Sequence, residues 1–298
     1  MVTARGETRA RVALERLETL WFNTGTLCNL TCLNCYIESS PRNDALVYLT
    51  AAEVSAYLDE VAALGLATRE IGFTGGEPFM NPEFLLMLED ALGRGFEVLA
   101  LTNAMRPMRR FEAGLLDLGA RHGARLTIRV SLDHHTAAVH EAERGVATFR
   151  KTTDGLQWLA RNGFNLAVAG RRLTDEPEPE ARAGYARLFG RLDVPVDAFD
   201  PGRLVLFPEM DASHDVPEIT EACWGILGKS PSSVMCSSSR MVVRRKGSKR
   251  AGVVACTLLP YDPQFETGPA LADALGPVAL NHPHCAKFCV LGGASCSA

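Results

Sequence analysis

Between residues 19 and 207, short apolar runs alternate with segments whose apolar residues recur roughly every three to four positions, the period of a helix with one buried face. The first run, TLWFNTG (19–25), precedes a helix predicted over about 51–66, with Thr50 as N-cap and Val54, Leu58 and Val61 on one face. The second, REIGFTG, leads to a helix from about Pro82 to Leu92, closed by Gly93 and Gly95. FEVLALTNA is the third strand. A helix from about Arg109 to Leu118 leads to the fourth, RLTIRVSLD, whose apolar residues give way to Ser131 and Asp133 at its C-terminal end. A longer helical region closing near Asn162 and Gly163, a fifth strand FNLAVAGRRL, a helix over EPEPEARAGYARLFGRL and a sixth strand RLVLF (203–207) follow. Such alternation predicts an α/β fold with a mainly parallel sheet.

From about residue 209 the alternation stops, and turns, prolines and six of the nine cysteines take its place. This divides the chain into a unit of residues 1–208 and a smaller α+β extension, 209–298. In the extension, MVVRRKGSKRAGVVAC predicts a β-hairpin with Cys236 just before it and Cys256 at its end. A short helix around PALADALG leads to the terminal NHPHCAKFCVLGGASCSA.

Composition narrows the class. With 298 residues, 47% hydrophobic and 22% charged, the chain is an ordinary globular protein. No apolar run approaches the roughly 20 residues of a membrane-spanning helix, and the N-terminus lacks the pattern of a secretory signal, so the chain reads as cytoplasmic. A formal charge of −4 gives no electrostatic reason to expect nucleic acid as a partner; the basic cluster Arg244, Arg245, Lys246, Lys249 and Arg250 reads as a solvated hairpin tip.

The chemistry is carried by cysteine. In a reducing compartment, grouped thiols point to metal rather than disulfides. Cys28, Cys32 and Cys35 follow the first strand at x3 and x2 spacing. Three is the informative number: a closed structural site takes four protein ligands, whereas three thiolates on an iron-sulfur cluster leave one iron open. Zinc completed by a distant side chain is the alternative.

The Cys-x3-Cys-x2-Cys segment, together with Gly75-Gly76-Glu77-Pro78 after the second strand, resembles the signature of the radical S-adenosylmethionine (SAM) superfamily. The resemblance implies a partial (β/α)6 TIM-like barrel in which Cys28, Cys32 and Cys35 hold a [4Fe-4S] cluster whose open iron binds SAM. It further implies that Tyr36, Gly75, Gly76, Glu77, Asn103, Ser131, Asp133 and Arg171 contact SAM. For Ser131 and Asp133 helix capping is the competing role, and for Arg171 an exposed ion pair with the acidic run 175–180. One position departs from the pattern: many relatives carry an aromatic residue before the third cysteine, and here it is Asn34. For His134, His135 and His140 the readings are a lining of the barrel mouth or, in preference, a solvated helix face.

The extension resembles the twitch or SPASM domains of the same superfamily, which hold auxiliary clusters. The resemblance implies one auxiliary [4Fe-4S] cluster on Cys236, Cys256, Cys285, Cys289 and Cys296, with Cys223 read as a buried apolar residue; six thiols are too few for two fully ligated clusters. His282 and His284 keep zinc open there. The implied activity is reductive cleavage of SAM to a 5′-deoxyadenosyl radical that takes hydrogen from a peptide or small molecule, with a flavodoxin or ferredoxin as electron donor. A non-catalytic iron-sulfur or zinc protein is the reading from another class.

Overall fold

The computed structural model describes residues 2–209 and 216–293. Its elements in chain order begin with β1 (Arg11–Val12), β2 (Thr19–Asn23), α1 (Ala51–Ala63), β3 (Glu70–Thr74), α2 (Phe84–Gly93) and β4 (Glu97–Thr102). Next come α3 (Arg106–Arg109), α4 (Glu112–His122), β5 (Leu126–Ser131), α5 (Ala137–Arg144), α6 (Thr148–Arg161), β6 (Asn165–Arg171), α7 (Glu178–Leu192) and β7 (Leu204–Phe207). The extension contributes α8 (Ala222–Leu227), β8 (Ser239–Val243), β9 (Gly252–Val254), β10 (Glu266–Gly268) and β11 (Val278–Ala279).

The six strands expected from the alternating pattern are β2 to β7, and they lie side by side in chain order, each parallel to the next. The fold is therefore mixed α/β around a parallel sheet. Pleating sends alternate residues to opposite faces. Leu20, Phe22, Ile71, Phe73, Val98, Ala100, Ile128 and Val130 meet the buried faces of the helices in the main core, whereas Trp21 and Leu99 join a smaller cluster with Met241, Val243 and Val254. The predicted long helix between the fourth and fifth strands is two helices. Gly145 and Ala147 have φ of 96° and 59°, and this left-handed turn separates α5 from α6.

Thr50 caps α1 as the sequence predicts. Its hydroxyl accepts from the Glu53 N–H at 3.2 Å, and the Glu53 carboxylate accepts from the Thr50 N–H at 2.9 Å. Thr50→Ala is expected to cost about 1 kcal/mol, read as a lower denaturation midpoint with an unchanged slope.

The extension does not build a sheet of its own. Strand β8 runs parallel to β2, with Thr19 opposite Ser239, and the hairpin β8–β9 followed by β10 lengthens the parallel sheet to nine strands. The amino-terminal residues return the connection: β1 pairs antiparallel with β11, Arg11 opposite Ala279. Beneath the cysteine-rich segments lies a second apolar core containing Phe207, Trp224, Phe265 and Phe288. No helix among the described residues is long and apolar enough to cross a membrane.

Candidate functional site

The loop after β2 is shaped by backbone contacts before any ligand is considered. The Cys28 N–H donates to Ser40 O at 3.0 Å and the Leu33 N–H to Glu143 O at 2.9 Å, so both ends of the loop are tied down. Two thiols already accept backbone hydrogen bonds, Cys28 from Leu30 N–H at 3.4 Å and Cys35 from Ser39 N–H at 3.3 Å. The glycine turn after β3 packs directly on this loop. Gly76 N–H donates to Gly25 O at 2.8 Å and Glu77 N–H to Leu27 O at 3.1 Å. A Cβ at Gly76 would stand 2.3 Å from Leu27 O, a contact only displacement of the backbone relieves. Gly76→Ala is accordingly expected to shift the peptide that leads into Cys28 and to lower the iron retained after anaerobic reconstitution. Wild-type iron content in that variant would contradict this account.

These segments form one wall of a cavity at the C-terminal ends of the parallel strands, the end at which α/β folds place ligands. Cys28, Cys32 and Cys35 line it together with Tyr36, Gly75 and Gly76; Asn103, Ser131, Asp133 and Arg171 complete the predicted set. Glu77 is the one predicted residue outside that lining. Its carboxylate is 2% exposed and accepts from Thr102 Oγ1 at 2.8 Å, Asn103 N–H at 2.8 Å and Phe79 N–H at 3.3 Å. It knits the end of β3 to the end of β4, and burial pushes its pKa up to about 7. Asn103 in turn reaches back to the cysteine loop, donating from Nδ2 to Asn29 Oδ1 at 2.9 Å.

The donor set fits an iron-sulfur cluster better than zinc. Four thiolates about a single zinc at ~2.3 Å would stand ~3.8 Å apart. Among the described residues, only His134, His135 and Glu176 bring three ligand atoms within 4.8 Å of one another, so neither cysteine set is gathered at zinc spacing. Among the described residues no fourth cysteine and no histidine lines this cavity. Burial pushes the Cys28 thiol up to about 12 and raises Cys32, the latter opposed chiefly by the Arg144 guanidinium. A cation bound by these sulfurs would make thiolates of them.

Opposite the thiols lies a buried charge network that pattern reading missed. Arg144 donates from Nε to Asp133 Oδ2 at 2.7 Å and from Nη2 to Oδ1 at 2.8 Å. Burial alone would raise the Asp133 carboxyl; the guanidinium overrides it and holds the pKa below the usual range. Asp133 therefore does not cap the following helix. Arg171 corrects a second expectation. It is 8% exposed and pairs with Glu143 at 3.1 Å and Glu209 at 3.2 Å rather than with the acidic run 175–180, because strand β6 carries it inward beneath α5. Its guanidinium lies 5.2 Å from the Tyr36 ring centroid. Asn34 donates to Glu143 Oε1 at 2.9 Å, so the residue at the departing position ties the cysteine loop to α5. Arg144 and Glu143 gave no signal in the sequence beyond lying on a helix.

The histidines after β5 are not a solvated face either. His140 is fully buried, its Nδ1 accepts from Asp133 N–H at 3.2 Å, and burial beside Arg144 lowers its pKa to about 4. His134 is 6% exposed. The strand end turns inward here, so the polar character of these residues does not report exposure.

A second cavity lies in the extension, lined by Cys236, Cys256, Cys285, Cys289 and His284. Cys285 and Cys289 sit on a π-helical turn, Cys285–Leu291, and burial pushes the Cys236 and Cys285 thiols up to about 12. Cys223 does not line it; its sulfur accepts from Thr220 N–H at 3.3 Å. Cys296 lies outside the described residues. Thr257 and Leu258, directly after Cys256, line both cavities, and the Tyr36 ring packs edge-on against Phe288 at 6.3 Å.

A family model described as "Radical SAM superfamily" matches residues 22–182, more than half of the chain. The chain is 32% identical over 143 residues to the antilisterial bacteriocin subtilosin biosynthesis protein AlbA of Bacillus subtilis, covering 48% of this chain and 30% of AlbA. It is 30% identical over 186 residues to the GTP 3′,8-cyclase of Rhodococcus opacus, covering 54% and 51%. Against these relatives the chain thus spans about half of their length or less. The structure of Streptococcus suis SuiB bound to precursor peptide SuiA superposes with a TM-score of 0.61 at 12% identity, over 86% of this chain and 63% of SuiB, a likeness of fold.

Proposed function

The chain belongs to the radical SAM superfamily, and from that premise we propose that it cleaves SAM reductively and uses the product to abstract hydrogen from a peptide. In this family a [4Fe-4S] cluster with SAM at its open iron supplies a 5′-deoxyadenosyl radical. The observation that carries the reading is the cavity wall itself: three thiols, no fourth cysteine or histidine among the described residues, and a glycine turn hydrogen-bonded to the loop that bears them. That donor set also weighs against the non-catalytic zinc or iron-sulfur protein.

Residues 1–208 form the core on this reading, a partial (β/α)6 barrel, and 209–298 the auxiliary unit, whose hairpin continues the core sheet. Cys28, Cys32 and Cys35 hold the cluster. Gly75 and Gly76 offer close backbone approach, while Glu77 keeps the β3 and β4 ends in register beneath the ligand. Tyr36, Asn103, Ser131, Asp133 and Arg171 are the SAM-contacting candidates, and the Asp133–Arg144 and Arg171–Glu143 pairs keep the wall rigid. Rigid, largely buried walls exclude water from a site that handles a radical. A flavodoxin or ferredoxin is the proposed electron donor, and the cytoplasm the proposed location.

The peptide as substrate rests on the names of AlbA and of SuiB with its precursor peptide. The match to GTP 3′,8-cyclase favours a small molecule as the second reading. Anaerobic reconstitution followed by dithionite and SAM is expected to yield 5′-deoxyadenosine; none above a protein-free control would overturn the assignment.

The extension cavity is proposed to hold an auxiliary [4Fe-4S] cluster on Cys236, Cys256, Cys285 and Cys289, with Cys296 as a further ligand candidate. Four thiols in one cavity favour full protein ligation, hence electron transfer rather than substrate binding. Cys289→Ala is expected to lower iron from about eight to about four per chain while 5′-deoxyadenosine formation persists. Unchanged iron would remove the auxiliary site.

A further inference from the structure

Outside both cysteine cavities, the loop after β5 and the loop before α7 bring three metal-ligating side chains to one point. Nε2 of His135 lies 3.1 Å, and Nε2 of His134 3.3 Å, from Oε2 of Glu176. These ligand atoms all fall within 4.8 Å of one another. The two imidazoles stack with centroids 4.1 Å apart and 29° between their planes, so their Nε2 edges converge on the same oxygen.

A hydrogen-bonded cluster would explain His135, which sits within bonding distance of both Glu176 oxygens. It does not explain His134. That residue is 6% exposed, yet its Nε2 makes no hydrogen bond although the carboxylate oxygen stands 3.3 Å away, within reach but out of alignment. A tetrahedral ion bonded at ~2.0–2.1 Å to nitrogen and oxygen ligands sets those ligands ~3.3 Å apart, each off the lone-pair axis of the next. The two nitrogen–oxygen separations, 3.1 and 3.3 Å, match that geometry.

The surroundings hold both rings in place. His134 Nδ1 accepts from the Thr136 N–H at 3.1 Å and lies 2.8 Å from Thr136 Oγ1, contacts that fix the orientation of the ring. The His135 ring packs on α7 at Gly184, where a Cβ would stand 2.4 Å from Nε2.

We propose that His134, His135 and Glu176 bind a divalent transition-metal ion, zinc being the best match to two imidazoles and a carboxylate, with a coordination position left open. Bound there, the ion clamps the segment that carries Asp133 against the entrance of α7. The proposal is independent of the radical chemistry and does not share a residue with either cysteine set.

The test uses the anaerobically reconstituted full chain, so that the thiols are occupied, exposed to zinc and desalted, with zinc and iron counted in the same sample. Wild type is expected to retain about one zinc per chain. Glu176→Gln, isosteric on a part-exposed side chain, and His135→Ala are each expected to weaken zinc binding by at least about tenfold at unchanged iron. Zinc should raise the melting temperature of the wild type and leave that of both variants unmoved. Wild type that retains no zinc, or variants that retain it as well as wild type, would overturn the site; SAM cleavage is not part of the readout, so failure of the enzymatic reading leaves this result interpretable.

Discussion

Cys32→Ala is expected to bring 5′-deoxyadenosine formation down to that of a protein-free control and to remove about four iron atoms per chain, leaving about four, those assigned to the proposed auxiliary cluster. The expectation follows from ligand arithmetic in the first cavity. Among the described residues, three thiols are the whole soft-ligand set on its wall, and no further cysteine or histidine lines it. Asp133 is the nearest alternative in kind, but both of its oxygens are held by Arg144 at 2.7 and 2.8 Å. A cluster reduced to two protein thiolates is labile, and without its open iron there is no site that orients SAM for reduction. The contrast with Cys289→Ala is the sharper part of the prediction. Both variants lose the same amount of iron, but only the first loses SAM cleavage. A Cys32→Ala protein that still forms 5′-deoxyadenosine at the wild-type rate would move the chemistry elsewhere.

The second large effect is on stability. Arg144→Met is expected to destabilise the chain by about 3–5 kcal/mol, because it leaves the Asp133 carboxylate buried without its partner. Asp133 is 2% exposed, and the pair is bidentate, so the strength lies in geometry as much as in charge. Arg144→Lys is expected to recover only part of the loss, since an ammonium does not reproduce the two parallel hydrogen bonds. The double variant Asp133→Asn/Arg144→Met removes both charges together, and its midpoint in chemical denaturation should lie above that of Arg144→Met alone. A loss below about 1 kcal/mol for Arg144→Met would place the pair among solvated ion pairs, contrary to its burial.

Much of the molecule was legible before the fold was seen, where the signal is local. Strand and helix periods report which residues share a face, and the six strands β2 to β7 came out in the expected order. Thr50 capped its helix because capping is decided within one turn. The cysteine spacing and the glycine turn were legible because close approach of the turn to the backbone of the cysteine loop tolerates few residue types.

Other features depend on residues far apart in the chain, and no periodicity reports them. That β8 would pair with β2 rather than begin a separate sheet depends on which edge strand lacks a partner once the six repeats have assembled. Arg144 and Glu143 look like ordinary helix residues until α5 packs over the strand ends and turns them toward Asp133 and Arg171. The histidines of the loop after β5 read as solvated because polar residues usually are; burial by α7 reverses that.

The sequence by itself determined the order of elements, the grouping of the cysteines along the chain and the family it belongs to, because each is written in short-range spacing. Only the tertiary structure decided which thiols share a cavity, which carboxylate each buried arginine neutralises and where His134, His135 and Glu176 converge. The physical reason is that burial and ion pairing are set by distances through space between segments that the chain itself keeps far apart.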